Sequence, residues 1–284
     1  MRRWLLALFA IAGIALYASQ THAATGMCAE DLYCAEGSRE YTTDDRYFRF
    51  STAFSSAQGT DRRLHPLELS DKDYSSFTGV GVIVCSVNGK RRSSTAFLVG
   101  AFDIGVTVAH VFENDASGAA PTDCVYNTTD SLGQIRERIP VSYVKSEWAA
   151  NPKSAGHAAT DLAVIRLSQP SRYAQKTMPL GRFSGKPAPV VMVGFRTDIE
   201  SDTVKLKTRG TVYAPINGGL QSGSFAHDMD SRDISPGAPV VDERTGVIIG
   251  IHTRLPSTRN TMITMNDWLE STLRSEIEST ARAN

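Results

Sequence analysis

The sequence predicts an all-β protein built from antiparallel strands, with one helix at the C-terminus. From Ser76 onwards, short runs rich in Val, Ile, Thr and aromatic residues alternate with clusters of Gly, Pro, Asn and Asp. This spacing is typical of a β-sandwich or β-barrel. The gaps between the runs contain no helical crossover of about ten residues, which a parallel sheet would need.

Nine segments carry the strand pattern. In chain order they are GVGVIVCSV, STAFLVG, GVTVAHVF, IPVSYVKSEW, DLAVIRLS, PVVMVGF, KLKTRGTVYA, APVVD and GVIIGIHT. The C-terminal segment TMNDWLESTLRSEIESTARAN differs, because Trp268, Leu269, Leu273 and Ile277 recur at intervals of three or four residues. This periodicity predicts an amphipathic helix, with Asn266 available as its N-cap.

Composition narrows the class of protein. The chain has 284 residues, of which 41% are hydrophobic and 21% are charged, so it can bury one sizeable core or two modest ones. Its 30 basic residues balance its 30 acidic residues, and neither a nucleic acid nor an anionic membrane is indicated as a partner.

We expect no metal and no cofactor, because C-x-x-C, H-E-x-x-H and a complete G-x-G-x-x-G motif are all missing from the sequence. The oligomeric state is left open.

Residues 1–23 predict a secretory signal peptide. A pair of arginines precedes an apolar run, and the small-residue ending THAA predicts cleavage after Ala23. The run is shorter than the about 20 residues that span a bilayer. We expect export to the periplasm or the extracellular space, without membrane attachment after the signal is removed. Residues 24–75 then form an N-terminal extension, and residues 76–284 form the β domain.

Export would bring the four cysteines into an oxidising compartment, where thiols usually pair. Four cysteines allow three pairings. Cys28 and Cys34 are spaced to close a small loop, so we expect one disulfide there. The other would join Cys85, in a strand-like run, to Cys124, in the loop-like segment APTDCVYN. Free buried thiols are the alternative.

Two residues suggest acyl-transfer chemistry. His110 ends the strand-like part of GVTVAHVF, and Asp161 begins DLAVIRLS. A serine nucleophile needs a base that removes its proton and a buried carboxylate that orients this base. Taken singly, each residue has an ordinary structural explanation, as a core histidine and as the entry to a strand. Together they precede the small-residue turn before APVVD, in the chain order of a known catalytic triad.

At these motifs the chain resembles the chymotrypsin/trypsin-like serine protease family, over about residues 76–275. In that family a GxGFLV…VLTAAHC segment carries the histidine and a DIALLKL segment carries the aspartate. The resemblance implies two six-stranded antiparallel β-barrels with a C-terminal helix, and peptide hydrolysis without a cofactor. It implies that His110 is the general base and that Asp161 orients it. Val111 stands where vertebrate members have a cysteine, and no IVGG stretch precedes VGVIVC, so the chain is most similar to compact bacterial members.

The nucleophile has two possible positions. Without gaps, DSRDISPGAP parallels the family's DSCQGDSGGP, which puts Pro236 at the serine position and Asp230 at the base of the substrate pocket. Proline offers neither a hydroxyl nor a backbone N–H. A register shifted by one residue makes Ser235 the nucleophile, with the N–H groups of Asp233 and Ser235 as oxyanion donors. A bulge would then have to absorb Pro236.

The function depends on this register. With Ser235 as nucleophile, the sequence predicts a secreted trypsin-like serine endopeptidase that acts on peptide or protein substrates. With Pro236 in that position, the alternative is a catalytically silent homologue that binds a peptide or protein. A third hypothesis makes His110 and Asp161 structural residues of an unrelated barrel.

The residues around the turn bear on specificity. Asp230 in the ungapped register would favour Arg or Lys before the scissile bond, through a charge-assisted contact. The shifted register puts Met229 there instead and favours an apolar residue. Ser222 and Ser224, in the glycine-rich GGLQSGSFAHD, lack the turn that a nucleophile requires, so we rank them well below Ser235.

Overall fold

The computed structural model of the chain describes a defined set of residues. These are 67–68, 71–87, 89–112, 122–151, 153, 157–195, 204–215, 223–229, 234–254 and 260–283. The expected signal peptide, most of the expected extension and the expected Cys28–Cys34 disulfide lie outside them.

Strands are the predominant secondary structure of the described residues. In chain order the strands are β1 Leu67–Glu68, β2 Val80–Val87, β3 Lys90–Leu98, β4 Ile104–Thr107, β5 Thr122–Thr129, β6 Ile135–Ser146, β7 Ala163–Leu167, β8 Ala188–Gly194, β9 Leu206–Pro215, β10 Ser224–His227, β11 Pro239–Asp242, β12 Ile248–Arg254 and β13 Asn260–Ile263. The helices are α1 Asp71–Tyr74, α2 Glu147–Ala150 and α3 Asp267–Ala283. Single 3₁₀ turns lie at Ser75–Phe77, Ala109–Val111 and Ala158–Thr160.

The strands close into two antiparallel barrels. The first barrel has the order β2-β3-β4-β7-β6-β5. The second has the order β9-β10-β13-β12-β11-β8 and closes through the pairing of β8 with β9. The predicted fold class, two six-stranded barrels with a C-terminal helix, is therefore confirmed. In addition, β1 pairs with the start of β9, so the last residues assigned to the extension join the second sheet.

A disulfide joins Cys85 on β2 to Cys124 on β5, and this confirms the predicted pairing. The loop predicted around Cys124 is wrong, since the residue lies within a strand. Strands β10 and β13 also went unpredicted. All three are short or carry many polar residues, and their pairing with neighbouring strands outweighs their weak local preference.

A hydrophobic core lies between the two barrels. Phe97 and Val106 enter it from the first barrel, and Val193 and Ile251 enter it from the second. Each barrel also holds an apolar cluster of its own. Burial of apolar surface stabilises such contacts by about 25 cal/mol per Å². The shared core therefore holds the barrels, and the residues at their junction, in one arrangement.

Helix α3 packs against this shared core. Leu269 and Leu273 are fully buried in it, as their helical spacing predicts. The Asn266 side chain accepts a hydrogen bond from the Leu269 N–H at 2.9 Å, which confirms the predicted N-cap. Glu276 anchors the other half of the helix to the first barrel by accepting from Lys145 Nζ at 2.6 Å. No helix of the described residues is long and apolar enough to cross a membrane.

Candidate active site

His110 lies just after β4, in the 3₁₀ turn Ala109–Val111. Ala109 and Val111 are buried, which fixes the turn to the first barrel, whereas 41% of the His110 side chain is exposed. Arg92 donates from Nη1 to the His110 carbonyl at 2.9 Å. The imidazole is therefore accessible to solvent. The backbone of His110 is held by its buried neighbours and by Arg92.

Asp161 lies beside His110 and is buried. Its Oδ1 accepts the His110 backbone N–H at 2.9 Å, and its Oδ2 lies 2.7 Å from His110 Nδ1. A carboxylate at Nδ1 selects the tautomer with the proton on that nitrogen and leaves Nε2 as the proton acceptor. The two residues are within hydrogen-bond distance, which contradicts the hypothesis that they belong to an unrelated barrel.

Thr253 also contacts Asp161, and the sequence did not predict this contact. Its Oγ1 donates to Asp161 Oδ2 at 2.8 Å, from strand β12 of the second barrel. Among the described residues, Asp161 therefore accepts three hydrogen bonds, two of them from His110. The segment GIHTR gave no signal for this role, because a threonine at a strand end is common and its partner is 92 residues away.

The Ser235 side chain lies in the interior of the fold. Ser235 is only 1% exposed, and its Oγ lies 2.6 Å from Thr95 Oγ1. Its backbone N–H donates to the Phe195 carbonyl at 2.7 Å. The shifted register requires an exposed hydroxyl and a backbone N–H that is free to bind an oxyanion, and Ser235 has neither.

Pro236 occupies the turn itself and is partly buried. Its carbonyl points inward and accepts from the Thr95 N–H at 2.9 Å and from Ser94 Oγ at 2.7 Å. Gly237 follows with φ +87°, a conformation that favours glycine, and donates its N–H to the His252 carbonyl at 2.8 Å. The turn is thus fixed by hydrogen bonds on both sides of the proline.

Strand pairing after the turn bears on the register. Pro239 lies opposite Ile251 and Val240 lies opposite Gly250, but Val241 lies opposite Ile248. The additional residue is therefore on β12 and not on β11. The bulge that the shifted register needs, an extra residue between Ser235 and β11, is not seen among the described residues.

The arrangement supplies part of what serine-type hydrolysis needs. His110 and Asp161 have the contacts of a base and its orienting acid. Over residues 235–237, however, no backbone N–H is available to an oxyanion: Ser235 and Gly237 donate inside the fold and Pro236 has none. The same stretch presents no exposed hydroxyl.

The other predicted site residues fall in two groups. Asp230, Asp233 and Ser222 lie outside the described residues. Met229 is fully buried in the core of the second barrel, and its carbonyl accepts from Asn260 Nδ2 at 2.9 Å. Its burial does not suit the specificity role that the shifted register assigns to it.

Two further histidines lie behind the turn. His227 Nε2 and His252 Nδ1 are 3.1 Å apart, and both rings are buried. Burial lowers the pKa of His227 to about 3, because the charged ring would lose its hydration, although a backbone hydrogen bond at Thr261 acts in the opposite direction. His227 is therefore neutral at neutral pH. The described residues contain no cluster of three or more His, Cys, Asp or Glu that could hold a metal ion.

Comparison with known proteins agrees with this architecture. The family described as trypsin-like peptidase domain matches residues 94–251, which include His110, Asp161 and the turn at Pro236. No curated protein sequence matches the chain.

Several solved structures share the fold at low sequence identity. A Glu endopeptidase is 14% identical with a TM-score of 0.58, and the match covers 77% of this chain and 97% of the other. The protease Anisep from Arthrobacter nicotinovorans is 12% identical with a TM-score of 0.56, covering 70% and 94%. An inactivated protease paralogue of the scabies mite is 16% identical with a TM-score of 0.54, covering 72% and 97%.

Proposed function

The chain belongs to the trypsin-like peptidase domain family, and on this premise we propose that it is a catalytically silent member, which binds a peptide or protein segment between its two barrels. One observation carries the proposal. In the ungapped register Pro236 takes the position of the family's nucleophile, and the neighbouring hydroxyl of Ser235 is buried against Thr95.

Hydrolysis by this fold needs a nucleophile, a base and oxyanion donors together. His110 and Asp161 have the contacts of the base and its partner. The turn at residues 235–237 offers no exposed hydroxyl and no unengaged N–H. Loss of one oxyanion donor alone typically lowers the rate by about 10²–10³. Loss of the nucleophile as well would leave a binding surface around His110, which we call the cleft.

The scabies mite relative supports the plausibility of such a protein. Its structure is that of an inactivated protease paralogue, and it has the same fold as this chain. The fold is therefore compatible with loss of hydrolysis.

A second candidate is a serine endopeptidase with Ser235 as nucleophile, and the intact contacts of His110, Asp161 and Thr253 favour it. It requires Ser235 to leave Thr95, turn outward and expose its hydroxyl. The preference for Arg or Lys through Asp230 belongs to this candidate.

The proposal includes export, with removal of residues 1–23 and residence in the periplasm or outside the cell. The disulfide between Cys85 and Cys124 supports it, because such bonds persist in oxidising compartments.

A fluorophosphonate probe, which labels activated serine hydroxyls, tests the proposal. We expect no labelling of the wild-type chain or of Ser235→Ala. Pro236→Ser restores a hydroxyl and an N–H at one position, so we expect it to gain labelling. Adding His110→Ala to Pro236→Ser should abolish that labelling. Labelling of the wild type that disappears in Ser235→Ala would overturn the proposal in favour of the endopeptidase.

Binding is tested with fluorescently labelled unfolded casein fragments, followed by anisotropy. We expect saturable binding, with the fragments recovered intact by mass spectrometry. His110→Trp should weaken binding by partly filling the cleft. Leu132→Trp is the matched control, because Leu132 is 75% exposed on the turn between β5 and β6. Cleaved fragments, or equal binding by both variants, would count against the proposal.

A further inference from the structure

A short segment before β2 connects the two barrels, and we refer to its described residues, 67–68 and 71–79, as the strap. At its beginning, β1 pairs with β9 of the second barrel. At its end, the Gly79 carbonyl accepts from the Leu98 N–H and from Tyr126 Oη, both in the first barrel and both at 2.8 Å. The strap therefore touches both barrels within a few residues.

The strap is also part of the core. Tyr74 and Phe77 are buried and belong to the apolar cluster shared by the barrels. A salt bridge between Asp73 and Lys207, at 2.7 Å, adds a contact near the surface.

The strap covers a buried lysine. Lys205, just before β9, is only 2% exposed. Its Nζ donates to Tyr74 Oη and to the Phe77 carbonyl, both at 3.0 Å, and lies 4.3 Å from the centre of the Tyr74 ring. All of these contacts are with the strap. Removal of the strap would therefore expose the amine to water.

The charges around this amine are few. Among the described residues no carboxylate forms a salt bridge with Lys205, and the acid whose charge favours its ammonium form is Asp130, which is itself paired with Arg136 at 2.5 Å. Burial raises the pKa of Tyr74, and the nearby Tyr173 acts in the same direction, so this hydroxyl stays neutral in the docked strap. Burial outweighs the attraction of Asp130 and lowers the pKa of Lys205 to about 7.

We propose that the strap is a proton-controlled latch, which docks over neutral Lys205 and is released when this lysine binds a proton. This inference goes beyond the proposed function and does not depend on it. An open strap exposes Tyr74 and Phe77 and loosens one connection between the barrels that form the cleft.

The direction of the effect follows from linkage. Lys205 has its ordinary pKa of 10.5 when exposed and about 7 when covered, so opening is accompanied by proton uptake between these values. Docking is therefore strongest above pH 10.5 and weakens as the pH falls through the folded pKa. The opening equilibrium constant rises by up to about tenfold for each unit of decrease above pH 7, and levels off below it.

The latch is tested by measuring amide hydrogen exchange of residues 71–79 in the full chain. The exchange rate of the wild type is divided by that of Lys205→Met at each pH, which cancels the intrinsic pH dependence of exchange. We expect this ratio to rise by about tenfold from pH 9 to pH 8. Lys207→Met is the matched control, and it should keep the wild-type pH dependence, because Lys207 holds the strap through an outer salt bridge.

Tyr74→Phe provides a test should Lys205→Met fail to fold. It keeps the ring and removes one acceptor of the ammonium group, so the pH at which the effect levels off should move lower. A ratio that stays constant with pH, or a Tyr74→Phe profile that superimposes on that of the wild type, would overturn the proposal.

Discussion

The hydroxyl oxygen of Ser235 lies 2.6 Å from that of Thr95, across 140 residues of sequence, and both side chains are buried. Thr95 Oγ1 also accepts the Phe195 N–H at 3.2 Å. Strands of both barrels thus hold this serine in the interior. The position of this one side chain therefore bears on whether the site at His110 can perform covalent chemistry.

Removing the Thr95 hydroxyl should destabilise the fold without creating activity. Thr95→Val leaves Ser235 Oγ and the Phe195 N–H without their partner, and a buried unsatisfied group costs about 1–3 kcal/mol. Thr95→Ser, which keeps the hydroxyl, is the control. Urea unfolding measures the loss, and the fluorophosphonate probe measures the gain of a reactive serine. Strong labelling of Thr95→Val would show that Ser235 is restrained only by this contact.

Thr253→Val should destabilise the chain through Asp161. The buried carboxylate would keep its two hydrogen bonds from His110 and lose the one from Thr253. Hydrogen bonds to charged groups contribute about 1.5–3 kcal/mol, so we expect a loss of that size in the free energy of unfolding. Thr253→Ser should lose much less. Equal stability of the two variants would mean that Thr253 contributes through packing alone.

Gly237 and Gly246 both have positive φ values. Replacing each with alanine should distinguish the stability cost of backbone strain from that of steric overlap. A Cβ on Gly237 would lie 2.0 Å from the Thr95 carbonyl, whereas a Cβ on Gly246 meets no atom within 4 Å. We expect Gly246→Ala to cost about 1–2 kcal/mol, from its left-handed backbone. Gly237→Ala should cost about 4 kcal/mol or prevent folding, since overlap adds to strain. Similar unfolding midpoints for both would contradict the close packing of this turn.

Acid should weaken the fold through His227. The unfolded ring binds a proton below about pH 6.5, whereas the folded ring, with its pKa lowered to about 3 by burial, does not. The stability associated with the neutral ring is therefore complete above pH 6.5 and is lost as the pH falls towards 3. Urea unfolding at pH 7 and pH 4.5 should show a smaller loss for His227→Phe than for the wild type. Identical losses would assign the acid sensitivity to other groups.

Much of the fold was predictable because strand composition and turn clusters are local signals. The pairing of His110 with Asp161 was predictable from their order along the chain and from motifs that resemble those of a known family, not from either residue alone. Thr253 was not, because its role exists only when β12 is brought against the loop before β7. Strand β10 was not predicted because SFAH is short and follows glycines, yet it pairs on both sides.

Which of Ser235 and Pro236 occupies the nucleophile position could not be predicted from the sequence, for a different reason. Both registers fit the letters, and a bulge was a reasonable means of reconciling them. What separates them is where a hydroxyl points and on which strand an extra residue lies. Both depend on contacts with Thr95 and β12, which no local pattern encodes.

The three hydrogen bonds to Asp161 come from a turn of one barrel and a strand of the other. Replacing Asp161 with a residue that cannot accept these bonds would leave the donors without a partner. It would also remove a contact between the two barrels. A His–Asp pair can thus be kept for its contribution to the fold, whether or not the domain hydrolyses peptides. In scaffolds of this type, its presence should not be taken as the mark of a working hydrolase.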